Sequence, residues 1–367
     1  LPAPQGRDFE ATRTVLARWL AERLPDARNM ELGALSGPSA TGFSSDTLLF
    51  DLAYDEGGSR VERGLVVRLE PTGLNVFPEY DVAAQFRVMD VLARDGRVPV
   101  PPTLWLEEDP SWLGVPFYAM ERIEGRVPTD NPPYHAGGWV AEEATPEDRE
   151  ALWWSALDVL ARIHQTDWKA LDLSFLETRD PGATPILRQI AYYERYYQWA
   201  LGDLPSPTVE RALEWLRAEV PKEDEPVGLC WGDARIGNMI FDRNRCVAVL
   251  DWEMATLGNP EEDLAWFLFL DRHHSEGIEA PRLAGFPDRE ASVARYAEAT
   301  GRAPRHLDYY EVFAAMRFSV IMMRVVQQLK HSDILPMDSG FEVDNTCSRL
   351  LAKLLELPPP AESLPGA

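Results

Sequence analysis

The sequence predicts an α+β fold in two lobes, a small β-rich half followed by a larger helical half. Three observations carry this. Residues 47–54 and 61–69 are rich in apolar and β-branched side chains, and the segment between them holds Gly57-Gly58, a hairpin pattern. Two more strands are expected at 103–107 and 115–121. Beyond residue 148, apolar residues recur mostly at helical spacing. With 367 residues and 45% apolar content, the chain can build about two core-bearing units.

Each element has its own signal. Residues 8–24 place Phe9, Val15, Leu16, Trp19 and Leu20 on one helical face and stop at Pro25. Residues 81–94 repeat that spacing through Val82, Phe86, Met89 and Leu92. Pro99, Pro101 and Pro102 then impose an extended segment. Residues 124–147 are rich in Pro, Gly and acids and read as a long loop, either a lid or a disordered insertion. Helices are expected at 148–165, 185–200 and 207–219, and short strands at 227–230, 239–242 and 246–251. Further helices are expected at 260–271, 288–299, 306–331 and 341–355, before a disordered Pro-rich tail. The chain therefore divides into an N-terminal lobe (1–122), a helical lobe (123–357) and the tail (358–367).

The formal charge of −24 lacks the basic footprint that a nucleic acid requires, and it disfavours an anionic membrane surface. It suits solubility and, as an open alternative, a cationic substrate. Cys230, Cys246 and Cys347 form neither a CxxC pair nor a zinc spacing, which fits a reducing, cytoplasmic setting. No signal-peptide pattern and no apolar run near the roughly 18 residues of a membrane span is read.

Chemistry concentrates in Trp231-Gly232-Asp233-Ala234-Arg235-Ile236-Gly237-Asn238 and in Asp251-Trp252-Glu253. A loop carboxylate such as Asp233 can accept a hydrogen bond from a substrate hydroxyl and orient it toward phosphorus. Asn238 and Asp251 offer the neutral and charged oxygens that Mg²⁺ takes. The strands 239–241 and 246–250, paired about 242–245, would return Asp251 to Asn238. Arg235 and Glu253 are accessory candidates; Glu253 would lie on the Asp251 side. Asp263 reads as a brace for the loop or a helix cap. Gly232 and Gly237 do not make a Walker loop, because Asn238 replaces its Lys. His273 and His274, being adjacent, do not face a common metal. The cluster Tyr192, Tyr193, Tyr196, Tyr197 and Trp199 reads as core or as substrate lining.

These residues, with 249–258, Asp263-Leu264-Ala265-Trp266 and weaker matches at 36–39, 65–71, 117–125 and 160–164, resemble the aminoglycoside-phosphotransferase-like kinases of the protein-kinase-like fold. The nearest likeness is to bacterial phosphotransferases related to the kinase-like domains of some acyl-CoA dehydrogenases. The resemblance spans roughly residues 30–355. It implies a catalytic Asp233 and Mg²⁺ on Asn238 and Asp251. It implies a loop over the ATP phosphates at 36–45, with Ser36, Gly37 and Ser39. It also implies a phosphate-binding Arg68 and a hinge from Met120 to Ile123 that meets adenine through backbone groups of Glu121 and Ile123. Three positions depart from the pattern. Trp231 stands where His is usual, Arg68 where Lys is usual, and Gln85 where that cation's Glu partner is expected, with Glu79 or Asp81 as substitutes. The implied activity is Mg²⁺-dependent transfer of the γ-phosphoryl of ATP, or of GTP, to a small-molecule hydroxyl. An aminoglycoside or a hydroxyacyl compound is the candidate acceptor. The alternative is a pseudokinase serving as a nucleotide-binding or interaction module, motivated by Arg68 and Gln85.

Overall fold

The computed structural model describes residues 7–37, 46–202, 205–222 and 226–363. The N-terminal lobe contains α1 (Phe9–Arg23), β1 (Arg28–Leu32), β2 (Asp46–Glu56), β3 (Ser59–Leu69), α2 (Val82–Asp95), β4 (Thr103–Glu107) and β5 (Phe117–Glu121). Its strands form one antiparallel sheet in the order β1-β2-β3-β5-β4. Side chains alternate across it. Leu65, Val67 and Leu69 pack under α1 with Leu16, Trp19 and Leu20. Val66, Tyr118 and Met120 join α2 and the larger core. Arg68 shares the Val66 face, so the pleat alone directs it away from α1 and toward the second lobe.

The second lobe contains α3 (Gly138–Glu142), α4 (Pro146–His164), α5 (Pro185–Ala200), α6 (Pro207–Ala218), β6 (Gly228–Cys230), β7 (Met239–Asp242), β8 (Arg245–Val249), β9 (Thr256–Gly258), α7 (Glu261–His273), α8 (Arg289–Thr300), α9 (Leu307–His331) and α10 (Thr346–Leu354). Two small antiparallel ribbons, β6-β9 and β7-β8, hold the motif loops. Arg243 and Asn244 both have positive φ in the β7-β8 turn, the backbone a tight hairpin requires.

Several expectations change. β1, β9 and α3 carry too few residues for a periodic signal and were not expected from the sequence. Residues 341–345 are not helical; Asn345 instead caps α10, accepting from the backbone N–H of Cys347 and Ser348. The disordered reading of 124–147 does not hold. Trp139 Nε1 donates to the Val127 carbonyl at 2.9 Å, and Arg126 pairs with Phe241 through both backbone bonds. A Thr145–Asp148 capping box starts α4 at Pro146. In the tail, Pro360–Ser363 forms a 3₁₀ turn, and residues 364–367 lie outside the described residues. α9 is, contrary to expectation, long and apolar enough to cross a membrane, but it is packed inside the lobe, with 67% of its apolar window buried.

Candidate functional site

The candidate catalytic loop follows β6. Asp263, fully buried at the first turn of α7, accepts from the backbone N–H of Trp231 at 2.5 Å and of Gly232 at 2.8 Å. His164 Nε2 lies 3.1 Å from the same carboxylate, and its Nδ1 lies 2.6 Å from the Tyr296 hydroxyl. His164 is thus a strut, and Asp263 fixes the loop through main-chain donors. Trp231, in the place of the usual His, donates Nε1 to the carbonyls of Leu250 and Asp251, at 2.8 and 3.2 Å. It ties the catalytic loop to the Asp251 loop. Gly232 has φ +94°, and a Cβ there would lie 2.1 Å from the Met254 carbonyl oxygen. Only glycine permits that approach.

Asp233 emerges from this frame with both carboxylate oxygens engaged. Arg235 Nε donates to Oδ1 at 3.1 Å and to Oδ2 at 3.0 Å. Trp266 Nε1 donates to Oδ1 at 2.9 Å, and Asn238 Nδ2 to Oδ2 at 2.6 Å. With its amide nitrogen on Asp233, Asn238 turns its amide oxygen elsewhere, the oxygen a hard cation would take. The β7-β8 ribbon brings Leu250 N–H to the Asn238 carbonyl at 2.9 Å, placing Asp251 beside the loop. Asp251 itself is left-handed at φ 60°, a conformation that Asp tolerates better than most residues. Asn238 and Asp251, an amide and a carboxylate, are thus a donor set that suits Mg²⁺.

Across the cleft, Arg68 Nη2 meets Asp251 Oδ1 at 2.9 Å, with both side chains less than 15% exposed. Burial opposes the Arg68 charge, but Asp251, Tyr118 and Glu253 outweigh it and raise its pKa. Burial likewise pushes Tyr118 up to about 12, against the pull of Arg68. Glu253 acts on Arg68, Tyr80 and Tyr118, so its charge lies on the Asp251 side.

The expected partnership of Arg68 with the α2 position is replaced. Gln85 is buried and accepts from the Tyr118 hydroxyl at 3.4 Å. The two substitutes are also engaged elsewhere: Glu79 with Arg195 at 3.0 Å, and Asp81 as the N-cap of α2. Ser36 pairs with Leu49 through both backbone bonds, and Gly37 follows into open space. Ser39, with the rest of 38–45, lies outside the described residues. Met120 is buried at the end of β5. Glu121 gives its N–H to the Pro102 carbonyl at 2.9 Å, which leaves its carbonyl as its backbone group for a base. Ile123 is half-buried just beyond.

Three contributors were not singled out for this role from the sequence. Trp266 was legible as part of a motif, but not as a donor to Asp233. Arg317, 2% exposed, donates to the Gly232 carbonyl at 3.1 Å and lies 4.7 Å from the Trp266 ring centroid. Its signal was present: an arginine inside the apolar run of α9, which holds Arg324 as well. Asp130 contacts Arg235 from the 124–147 segment, and nothing in that Pro-rich stretch marks it. The tyrosine cluster resolves mainly as core, since Tyr193, Tyr196 and Tyr197 are each no more than 3% exposed. Among the described residues no group of three or more His, Cys, Asp and Glu side chains is placed to hold a metal ion.

Known proteins share this architecture. The mouse acyl-CoA dehydrogenase family member 10 is 34% identical over 273 residues, covering 73% of this chain. This chain spans only 24% of that relative's length. A Ralstonia eutropha protein assigned provisionally to the aminoglycoside phosphotransferases superposes with a TM-score of 0.67 at 25% identity, covering 93% of this chain and 96% of its own. A thermostable aminoglycoside phosphotransferase mutant, solved with ADP and hygromycin B, shares the fold at a TM-score of 0.55 and 17% identity, covering 92% and 97%. Residues 42–315 match the phosphotransferase enzyme family, and with the two-lobed fold and the loops about Asp233 and Asp251 already in place, the chain belongs to that family.

Proposed function

We propose that the chain is a Mg²⁺-dependent kinase that transfers the γ-phosphoryl group of ATP to a hydroxyl of a small molecule. The observation that carries this reading is the convergence of Asp233, Asn238 and Asp251 through the β7-β8 ribbon, with Arg68 facing them from the other lobe. Asp233 orients the acceptor and takes its hydroxyl proton as that oxygen bonds to phosphorus and the bond to ADP breaks. Asn238 and Asp251 hold Mg²⁺, which when bound neutralises charge on the phosphate oxygens. Arg68 exchanges its Asp251 contact for phosphate oxygens. Glu121 and Ile123 meet the base, and residues 36–45 cover the phosphates. We place the lobe boundary after residue 122, where the chain leaves β5. The neighbour solved with ADP and hygromycin B supports a nucleotide and a small hydroxylated acceptor, by shared fold. A hydroxyacyl acceptor is the alternative that the acyl-CoA dehydrogenase relatives suggest. The three free, buried cysteines suit the reducing cytoplasmic setting we propose.

One observation favours a pseudokinase instead: Arg68 is occupied by Asp251, and Gln85 offers no carboxylate to draw it away. Calorimetric titration of ATP and GTP, each with and without Mg²⁺, decides between the readings. The kinase reading expects saturable, Mg²⁺-dependent binding that weakens in Asp251→Ala. Nucleotide affinity indifferent to metal, or no binding, supports the pseudokinase.

A further inference from the structure

Asp233 has a difficulty as the group that receives the acceptor. Three N–H groups converge on its carboxylate: Trp266 on Oδ1, Asn238 on Oδ2, and the single Arg235 Nε–H, which bridges both oxygens. The bridging Arg235 N–H lies between the two oxygens, and a hydroxyl binds Asp233 more freely once that donor withdraws. Trp266 is 1% exposed and packed against Arg317 and Phe318, so moving it would disturb the core. Asn238 is 6% exposed and fixed by the β7-β8 ribbon. Arg235 is the donor with an alternative partner, because its Nη1 also meets Asp130 Oδ2. The other oxygen of Asp130, Oδ1, is buried and has no hydrogen-bond partner; His274 Nε2 stands 3.7 Å away, beyond hydrogen-bond reach.

Asp130 is not on a loose loop. Tyr134 and His135 Nε2, four and five residues on, both donate to Asp271 Oδ1 at 2.9 Å, and Arg282 Nε donates to its Oδ2 at 2.7 Å. The Arg126–Phe241 backbone pair anchors the other end. Gly237, inside the catalytic loop, leaves the space this pair fills: a Cβ there would lie 2.6 Å from Asp130 Oδ1 and 2.7 Å from Arg235 Nη1.

We propose that Asp130 is a positioning residue for phosphoryl transfer, acting through Arg235. Two carboxylates share one guanidinium. When an acceptor oxygen arrives at Asp233, Arg235 shifts toward the unfilled oxygen of Asp130, opening a position on Asp233 while its charge stays beside the site. The shift trades one charge-assisted hydrogen bond for another, so it costs little. The inference rests on the kinase reading and adds a residue to it.

The test uses the whole chain with water as acceptor, following Mg²⁺-dependent hydrolysis of ATP and, by calorimetry, its binding. Asp130→Asn keeps shape and removes the charge. It is expected to lower kcat about tenfold or more while the Kd for Mg²⁺·ATP stays within about twofold, and Asp130→Glu is expected to recover most of the loss. In an Arg235→Met background, Asp130→Asn is expected to cost less than about twofold, because residues acting as a unit are not additive. Gly237→Ala, which displaces the pair and removes no charge, is expected to reproduce the kcat loss. Wild-type turnover in Asp130→Asn, or its full loss persisting in the Arg235→Met background, overturns the inference and leaves the kinase reading standing. A wild-type chain that neither binds nor hydrolyses Mg²⁺·ATP overturns the kinase reading and this inference with it.

Discussion

The two walls of the cleft are built differently. The catalytic-loop wall is overdetermined: Asp263 holds two main-chain N–H groups, Trp231 grips the neighbouring loop, and Asp233 has three separate donors. The facing wall, which we propose receives the nucleotide, is held by few contacts. Arg68 reaches across to Asp251 through one bond of 2.9 Å, its Nε is buried without a partner, and Gln85 answers to Tyr118. The difference teaches which wall is braced in place and which has bonds left to make. A buried donor without a partner costs about 1–3 kcal/mol, and a phosphate oxygen would recover it at Arg68.

The largest break in this comparison comes from Asp233→Asn. Turnover is expected to fall about a thousandfold or more while Mg²⁺·ATP affinity holds, because the loop frame does not depend on that charge. Product mass after prolonged incubation measures it; turnover near wild type removes Asp233 from its role. Next is Asp263→Ala, which strands two buried main-chain donors and the His164 ring. A loss of about 3 kcal/mol or more is expected from the urea midpoint, and a loss under about 1 kcal/mol would mean the wall is not braced as described.

Asp251→Ala sharpens the other wall. It removes the proposed metal ligand and leaves Arg68 without its carboxylate. Nucleotide affinity is expected to lose its Mg²⁺ dependence, with about a tenfold weaker Kd in Mg²⁺. Retained Mg²⁺ dependence would place the metal elsewhere.

The smallest effect is on pH. Burial lowers the pKa values of His273 and His274 from 6.5 to about 3, so both are neutral in the folded state at pH 5. The unfolded chain binds their protons first. Stability from these rings is therefore present above about pH 6.5 and is lost as pH falls toward 3. His274→Asn is expected to shallow the fall in urea midpoint between pH 7 and pH 5. An unchanged slope would show that His274 is not held neutral.

Much of this was written along the chain. The 2.0 period of 61–69 put Arg68 on the face opposite Leu65, Val67 and Leu69, and the helical spacing gave α1, α2, α5 and α6 nearly to the residue. The turn 242–245 was legible as the link that brings Asn238 and Asp251 together, because local backbone preference acts within a few residues. β1, β9 and α3 were not legible. They have three to five residues each, and partners elsewhere in the chain decide them.

The sequence by itself determined the two-lobed α+β order and the carboxylate and amide set on adjacent loops, since both follow from short-range periodicity and spacing. Only the tertiary structure decided who holds whom. Arg68 chose Asp251 over position 85, 183 residues away in the chain. Asp130 met Arg235 across 105 residues, and Arg317 found Gly232 across 85. Such choices depend on which buried charges and donors remain unpaired once the cores have packed, and that is a property of the whole packed chain rather than of any window within it.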